Sequence, residues 1–122
     1  MHILIVEDSE SIRQMIEALV SSRGHEVVAV STGARAIEAA LAQRPDVVLL
    51  DLNLPGGMDG FDVCRRLRSE ATTKAVPVLV ISAMDDSHSK ARAAAAGATA
   101  YYTKPFSPTA LLKEIESLRT RV

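Results

Sequence analysis

The chain has a single cysteine, so Cys64 cannot close an internal disulfide. That excludes the disulfide-stapled scaffolds and suits a reducing compartment, with the cytoplasm as the expected location. Net charge is scarce too, since 14 basic residues against 15 acidic ones leave −1. No global field draws such a chain to nucleic acid or to an anionic membrane, and neither is expected as a direct partner. Long hydrophobic runs are also missing. The opening stretch Met1-His2-Ile3-Leu4-Ile5-Val6 lacks a basic flank and stops at Glu7-Asp8. It is too short for an export signal or a membrane span. No linker, internal repeat or low-complexity tract interrupts the chain, although Ala93–Ala96 comes near one. What is present is apolar content of 48%, enough for a core without disulfides or a structural metal. One domain, residues 1–122, is expected.

Two kinds of segment alternate along it. Short runs rich in Val and Ile lie at Ile3–Val6, Val27–Val30, Val47–Leu50 and Val78–Ile81, with a weaker run at Ala100–Thr103. They are continuous rather than alternating, which predicts parallel strands covered on both faces. Helical spacing fills the intervals. Ile12, Met15, Ile16, Leu19 and Val20 form one stripe behind the cap candidate Ser9, with Gly24 as its stop. Ile37, Ala40 and Leu41 mark a second helix ending before Pro45, and Val63, Cys64 and Leu67 a third. Asp85–Ala96 is alanine-rich, ends at Gly97 and has little large apolar surface to anchor it. Leu111, Ile115 and Leu118 mark the last, capped by Ser107 with Pro108 in its first turn. Five strands alternating with five helices predict an α/β fold with helices on both faces of a parallel sheet. Ligands of such sheets bind at the carboxyl ends of the strands, where strand order reverses.

Those ends read Glu7-Asp8, then Asp51, then Ser82, then Lys104. Carboxylates gathered at one edge repel unless a cation lies among them. Mg2+ suits an all-oxygen set and binds substrate phosphate as well. Lys104 adds a second positive group, and Ser82 a hydroxyl. Together they predict a site for a phosphoryl group beside a carboxylate nucleophile.

The joint pattern resembles the receiver family of bacterial response regulators. It is carried by Ile3-Leu4-Ile5-Val6-Glu7-Asp8-Ser9, Asp51-Leu52-Asn53-Leu54-Pro55, Met58-Asp59-Gly60, Ile81-Ser82-Ala83 and Lys104-Pro105-Phe106. The resemblance spans the whole chain. It implies a flavodoxin-like, doubly wound (βα)5 fold with a five-stranded parallel sheet in the order 2-1-3-4-5. It implies a phosphorelay switch in which Asp51 accepts a phosphoryl group from a histidine kinase or a histidine phosphotransfer protein. Mg2+ would be held by Asp8, Asp51, the backbone carbonyl of Asn53 and, through water or a longer reach, Glu7. Ser82 and Lys104 would meet the phosphoryl group. Tyr101 would be the switch aromatic, with Tyr102 on the opposite face, and the Lys104–Pro105 bond would be cis. The fourth helix, fifth strand and last helix would form the output face toward an unnamed target, on a monomer or weak dimer. No output domain is expected in this chain, and no catalysis beyond its own phosphorylation and dephosphorylation.

Some positions depart from the family pattern. Glu7 stands where Asp is common, Pro55-Gly56-Gly57-Met58 is one residue longer than the usual loop, and Thr99-Ala100 replaces an acidic pair found at one kind of dimer surface. Met84 reads equally as loop packing or as a group near the phosphoryl site. Asp59 reads as a turn or cap, Cys64 as inert core, and His2, His25 and His88 share no metal spacing. A haloacid-dehalogenase-type phosphohydrolase would want a second Asp where Asn53 stands. A flavodoxin would not place Glu7-Asp8 against its phosphate. A pseudo-receiver that no longer phosphorylates is the remaining alternative, against which the complete acceptor set argues.

Overall fold

The computed structural model describes residues 1–119; residues 120–122 of the expected domain lie outside the described residues. Strands β1 (His2–Val6), β2 (Glu26–Val30), β3 (Val47–Leu50), β4 (Val78–Ser82) and β5 (Ala100–Thr103) alternate with five helices. These are α1 (Glu10–Ser21), α2 (Gly33–Ala42), α3 (Gly60–Ser69), α4 (Ser87–Ala96) and α5 (Pro108–Arg119). The strands form one sheet in the order β2-β1-β3-β4-β5, all paired parallel. Order therefore reverses between β1 and β3, and the crevice opens there, past Val6 and Leu50.

Alternation along the strands builds two cores. Leu4, Val6, Val48, Leu50, Val78 and Val80 face α2, α3 and α4, meeting Ile37, Val63 and Leu67. Ile3, Ile5, Val47, Leu49, Leu79 and Ile81 face α1 and α5, meeting Ile16, Val20, Leu111 and Ile115. A run that alternates between two buried faces reads as continuously apolar, which is why β1, β3 and β4 stood out. The edge strands differ from the expectation. Val28 of β2 is 38% exposed and β5 is only half-buried along its length, because each lacks a neighbour on one side. Met15 and Leu41, both expected on buried stripes, are exposed too. Met15 falls at the margin of the α1 stripe, where it lines a groove with Phe106 and Pro108.

Local signals set the helix ends. Ser9 caps α1, Asp59 caps α3 in a reciprocal capping box with Asp62, and the Ser107 hydroxyl accepts the Ala110 N–H at 3.2 Å. α4 begins two residues later than expected, since the Asp86 carboxylate accepts the Ser89 N–H at 2.8 Å and makes Asp86 the cap. Gly97 ends α4 at φ +105°, a left-handed conformation that side chains disfavour. Among the described residues, no helix is long and apolar enough to cross a membrane.

Candidate phosphoacceptor site

β1 and β3 run side by side in register, pairing Val6 with Leu50, so the residues that follow them emerge together at the crevice. Carboxylate oxygens of Glu7, Asp8 and Asp51 all lie within 4.8 Å of one another. Glu7 and Asp51 are buried, at 2% and 5% exposure, and Asp8 is open to solvent. Lys104, just beyond β5, reaches across β4's end: its Nζ lies 2.7 Å from Glu7 Oε1 and 3.6 Å from Asp51 Oδ2. A backbone bond from the Lys104 N–H to the Ser82 carbonyl, 2.8 Å, sets the origin of that reach. The Lys104–Pro105 bond is cis, as the resemblance implied.

Burial is the main reason the Asp51 carboxyl is pushed up to about 6 from the usual 3.8. The negative charge of Glu7 pushes the same way, and the Lys104 ammonium opposes both. The Asn53 N–H, 3.4 Å from Asp51 Oδ1, also favours the charged form. Asp51 is thus a buried anion held beside two others by one cation, which is an oxygen-rich, electron-rich place for a further cation.

The other expected residues stand as follows. Ser82 is fully buried at the end of β4, and its hydroxyl accepts the Met84 N–H at 3.1 Å. Among the described residues no hydrogen bond joins its side chain to Asp51 or Lys104. Tyr101 is half-buried and donates its hydroxyl to the Met84 carbonyl at 2.6 Å. Tyr102 packs in the opposite core, as expected. Met84 packs against the core, as one reading of it had it, and also lines a groove of about 480 Å³ together with Asp8 and Asn53. Cys64 is buried core, and burial pushes its thiol up, away from reactivity. Among the described residues the three histidines enter no metal-type cluster.

Two further contributors, Arg13 and Arg92, carried no local sequence signal, and Gly60 belongs to the Met58-Asp59-Gly60 motif but its role was not read from it. The Arg13 guanidinium donates to the Glu7 carbonyl at 3.0 Å, bracing the turn that presents the carboxylates. Gly60 lies so close to β3's end that a Cβ there would collide with the Asp51 carbonyl oxygen. Arg92 lines the groove at Asp8.

A sequence profile of the response regulator receiver domain covers residues 3–116. The chain belongs to this family. The receiver is similar to the transcriptional regulatory protein CseB of Streptomyces coelicolor, 40% identical over 98% of this chain and 50% of CseB. It spans about half the length of that curated relative. Protein PilH of Pseudomonas aeruginosa is 35% identical, with 95% of each chain covered. Among solved structures, the receiver domain of the sensor histidine kinase PA1611 of Pseudomonas aeruginosa superposes with a TM-score of 0.88 at 31% identity, covering 96% of this chain and 95% of that one. That structure has a magnesium ion coordinated in its active-site cleft. Receiver domains bind Mg2+ in this acidic site and act in two-component signalling with histidine kinases, phosphotransfer proteins and output domains.

Proposed function

We propose that this receiver is a phosphoacceptor switch in which Asp51 takes a phosphoryl group from a phosphohistidine, on a histidine kinase or a histidine phosphotransfer protein. The observation that carries the reading is the cluster of Glu7, Asp8 and Asp51, two of them buried, with the Lys104 ammonium at 2.7 and 3.6 Å from Glu7 and Asp51. An Asp51 carboxylate oxygen attacks phosphorus, and the bond from phosphorus to the donor imidazole nitrogen breaks. Lys104 lies where it can neutralise phosphoryl oxygens, and the buried Ser82 hydroxyl, which accepts from the Met84 N–H, keeps its own O–H to donate to the phosphoryl group once the side chain turns toward it. Such a transfer depends on positioning and charge neutralisation more than on proton transfer.

The donor set fits Mg2+, being carboxylate oxygens in mutual reach with one member open to solvent. Asp8, Asp51 and the Asn53 carbonyl would hold it, with Glu7 acting at longer range, and when bound it neutralises charge between the carboxylates and the phosphoryl group. Phosphorylation of Asp51 turns its carboxylate into an acyl phosphate that carries more negative charge and competes for Ser82 and Lys104. Through Met84 that competition reaches Tyr101, which supports reading Tyr101 as the switch and the face of α4, β5 and α5 as the output surface. The cytoplasm, where ATP-derived phosphohistidine is made, is the compartment this reading requires. No observation favours the pseudo-receiver alternative.

The test is labelling. Incubated with a phosphorylated histidine donor and Mg2+, the wild type should gain an acid-stable, base-labile phosphoryl group, and Asp51→Asn should gain none. Undiminished labelling of the variant would place the acceptor elsewhere.

A further inference from the structure

We propose that Arg92 is a specificity-determining residue of this site, a cation on the rim of the Asp8 groove that favours small donors whose leaving group departs as an anion, acyl phosphates above all. The inference rests on the reading of Asp51 as phosphoacceptor and adds a residue from α4 that the acceptor motifs do not contain.

Three observations carry it. Arg92 lines the same groove, about 480 Å³, as Asp8, Asn53 and Met84, and it is the one basic side chain that does so. Asp8 also belongs to the Asp51 cluster, so the groove that holds this guanidinium borders that cluster. Second, the guanidinium carbon sits 4.0 Å from the centroid of the Phe61 ring. Phe61 is itself 4% exposed and locked in the α3 core, so it makes a fixed platform. Stacking orients a guanidinium by its face and leaves the N–H edge free to donate. Third, among the described residues no carboxylate pairs with Arg92, so no fixed partner holds its charge.

The chemistry that uses such a charge is specific. With acetyl phosphate, an Asp51 carboxylate oxygen forms a bond to phosphorus while the bond from phosphorus to the bridging oxygen breaks. Acetate leaves with that oxygen and the electron pair. No proton is needed, and the total charge of −3 on carboxylate plus dianion is conserved in acyl phosphate plus acetate. In a loose transition state the leaving bond is largely broken, so negative charge on the departing carboxylate is well developed, and a nearby guanidinium stabilises it. Phosphoramidate reacts at the same phosphorus but releases neutral ammonia, so the same guanidinium offers its transition state much less. A groove of this volume also admits either donor, so size does not separate them.

The experiment compares phosphorylation rates of wild type and Arg92→Gln with acetyl phosphate and with phosphoramidate, in Mg2+ at low salt, by intact mass or phosphate-affinity gel. The ratio of the acetyl phosphate rate to the phosphoramidate rate should fall about tenfold in Arg92→Gln, equivalent to about 1.4 kcal/mol. Arg92→Lys should recover part of it. Added NaCl should lower the wild-type ratio and leave that of Arg92→Gln unmoved, since exposed charges are screened. An unchanged ratio in a variant that still labels, or two rates that fall together, overturns the assignment while leaving Asp51 as acceptor. A wild type labelled by neither donor removes the acceptor reading and this inference with it.

Discussion

Replacing Asp51 with Asn should stabilise the metal-free protein while abolishing its phosphorylation. The Asp51 carboxyl is held up at about 6 against 3.8 for an unhindered carboxyl, mainly by burial and then by Glu7. Holding it ionised at neutral pH therefore costs stability. About two pKa units correspond to roughly 3 kcal/mol as a ceiling. Asp8 opens the cluster to solvent, which screens part of this, so about 1–2 kcal/mol is the expected gain. For a 122-residue chain unfolding with about 2.1 cal/mol/K per residue, that is a rise in Tm of about 4–8 °C.

The direction with pH follows from proton binding. Between about 3.8 and 6 the folded wild type binds more protons than the unfolded chain, so wild-type stability falls as pH rises through that window. The cost is absent well below 3.8, complete above 6, and missing at every pH in the Asn variant. Thermal unfolding by circular dichroism in EDTA, at pH 7.5, 5.5 and 4, measures the difference. The increment should be largest at pH 7.5 and shrink to a small fraction at pH 4. A variant no more stable than wild type at pH 7.5, or an increment that ignores pH, would refute the account of a repelled, buried carboxylate.

Asp8→Ala should remove the stabilisation that Mg2+ gives the wild type, about 1.4 kcal/mol at ten times Kd, read as a Tm shift on adding the metal. Arg68→Ala should cost about 2–4 kcal/mol in urea unfolding, because its guanidinium donates to the Gly97 carbonyl at 2.9 and 2.8 Å and to the Val76 carbonyl at 2.6 Å; Arg68→Lys, lacking the fork, should recover only part. Tyr101→Phe should cost about 1 kcal/mol or less and speed amide exchange around Met84, whose carbonyl loses its 2.6 Å partner. An unchanged exchange rate there would show that the bond does not hold the loop.

Most of the fold was legible because β1, β3 and β4 serve two cores at once, leaving uninterrupted Val and Ile runs each followed by a polar residue. The site was legible for the same reason: the residue after each run lies at the sheet's carboxyl edge, so Glu7, Asp8, Asp51 and Lys104 converge by topology. What escaped were contacts that depend on tertiary placement. Arg13 and Arg92 are ordinary exposed-type residues in sequence, and only the packing of α1 and α4 brings one to the Glu7 carbonyl and the other to the Asp8 groove. Met15 and Leu41 failed in the opposite sense. Periodicity places them near a buried stripe, and the stripe's margin leaves them exposed.

α4 shows how far composition alone carries. Its alanines bury little area, and the expectation of weak anchoring followed from that. Only Ser89, Ala93 and Ala96 of the helix are buried, which agrees. Its flanks, however, are tied by polar attachments: Tyr101 to the Met84 carbonyl before the helix, Arg68 to the Gly97 carbonyl after it, with Arg92 stacked on Phe61 between. Such attachments break singly, at about a kcal/mol or a few each, whereas a large apolar face would have to separate as a unit. The two ends are also unequal. Met84 binds both Tyr101 and the Ser82 hydroxyl at the end of β4, while Arg68 lies on α3 and ties the other end of the helix. α4 thus combines little apolar grip with one polar tie at each end, the Tyr101 bond before it and the Arg68 bond after it.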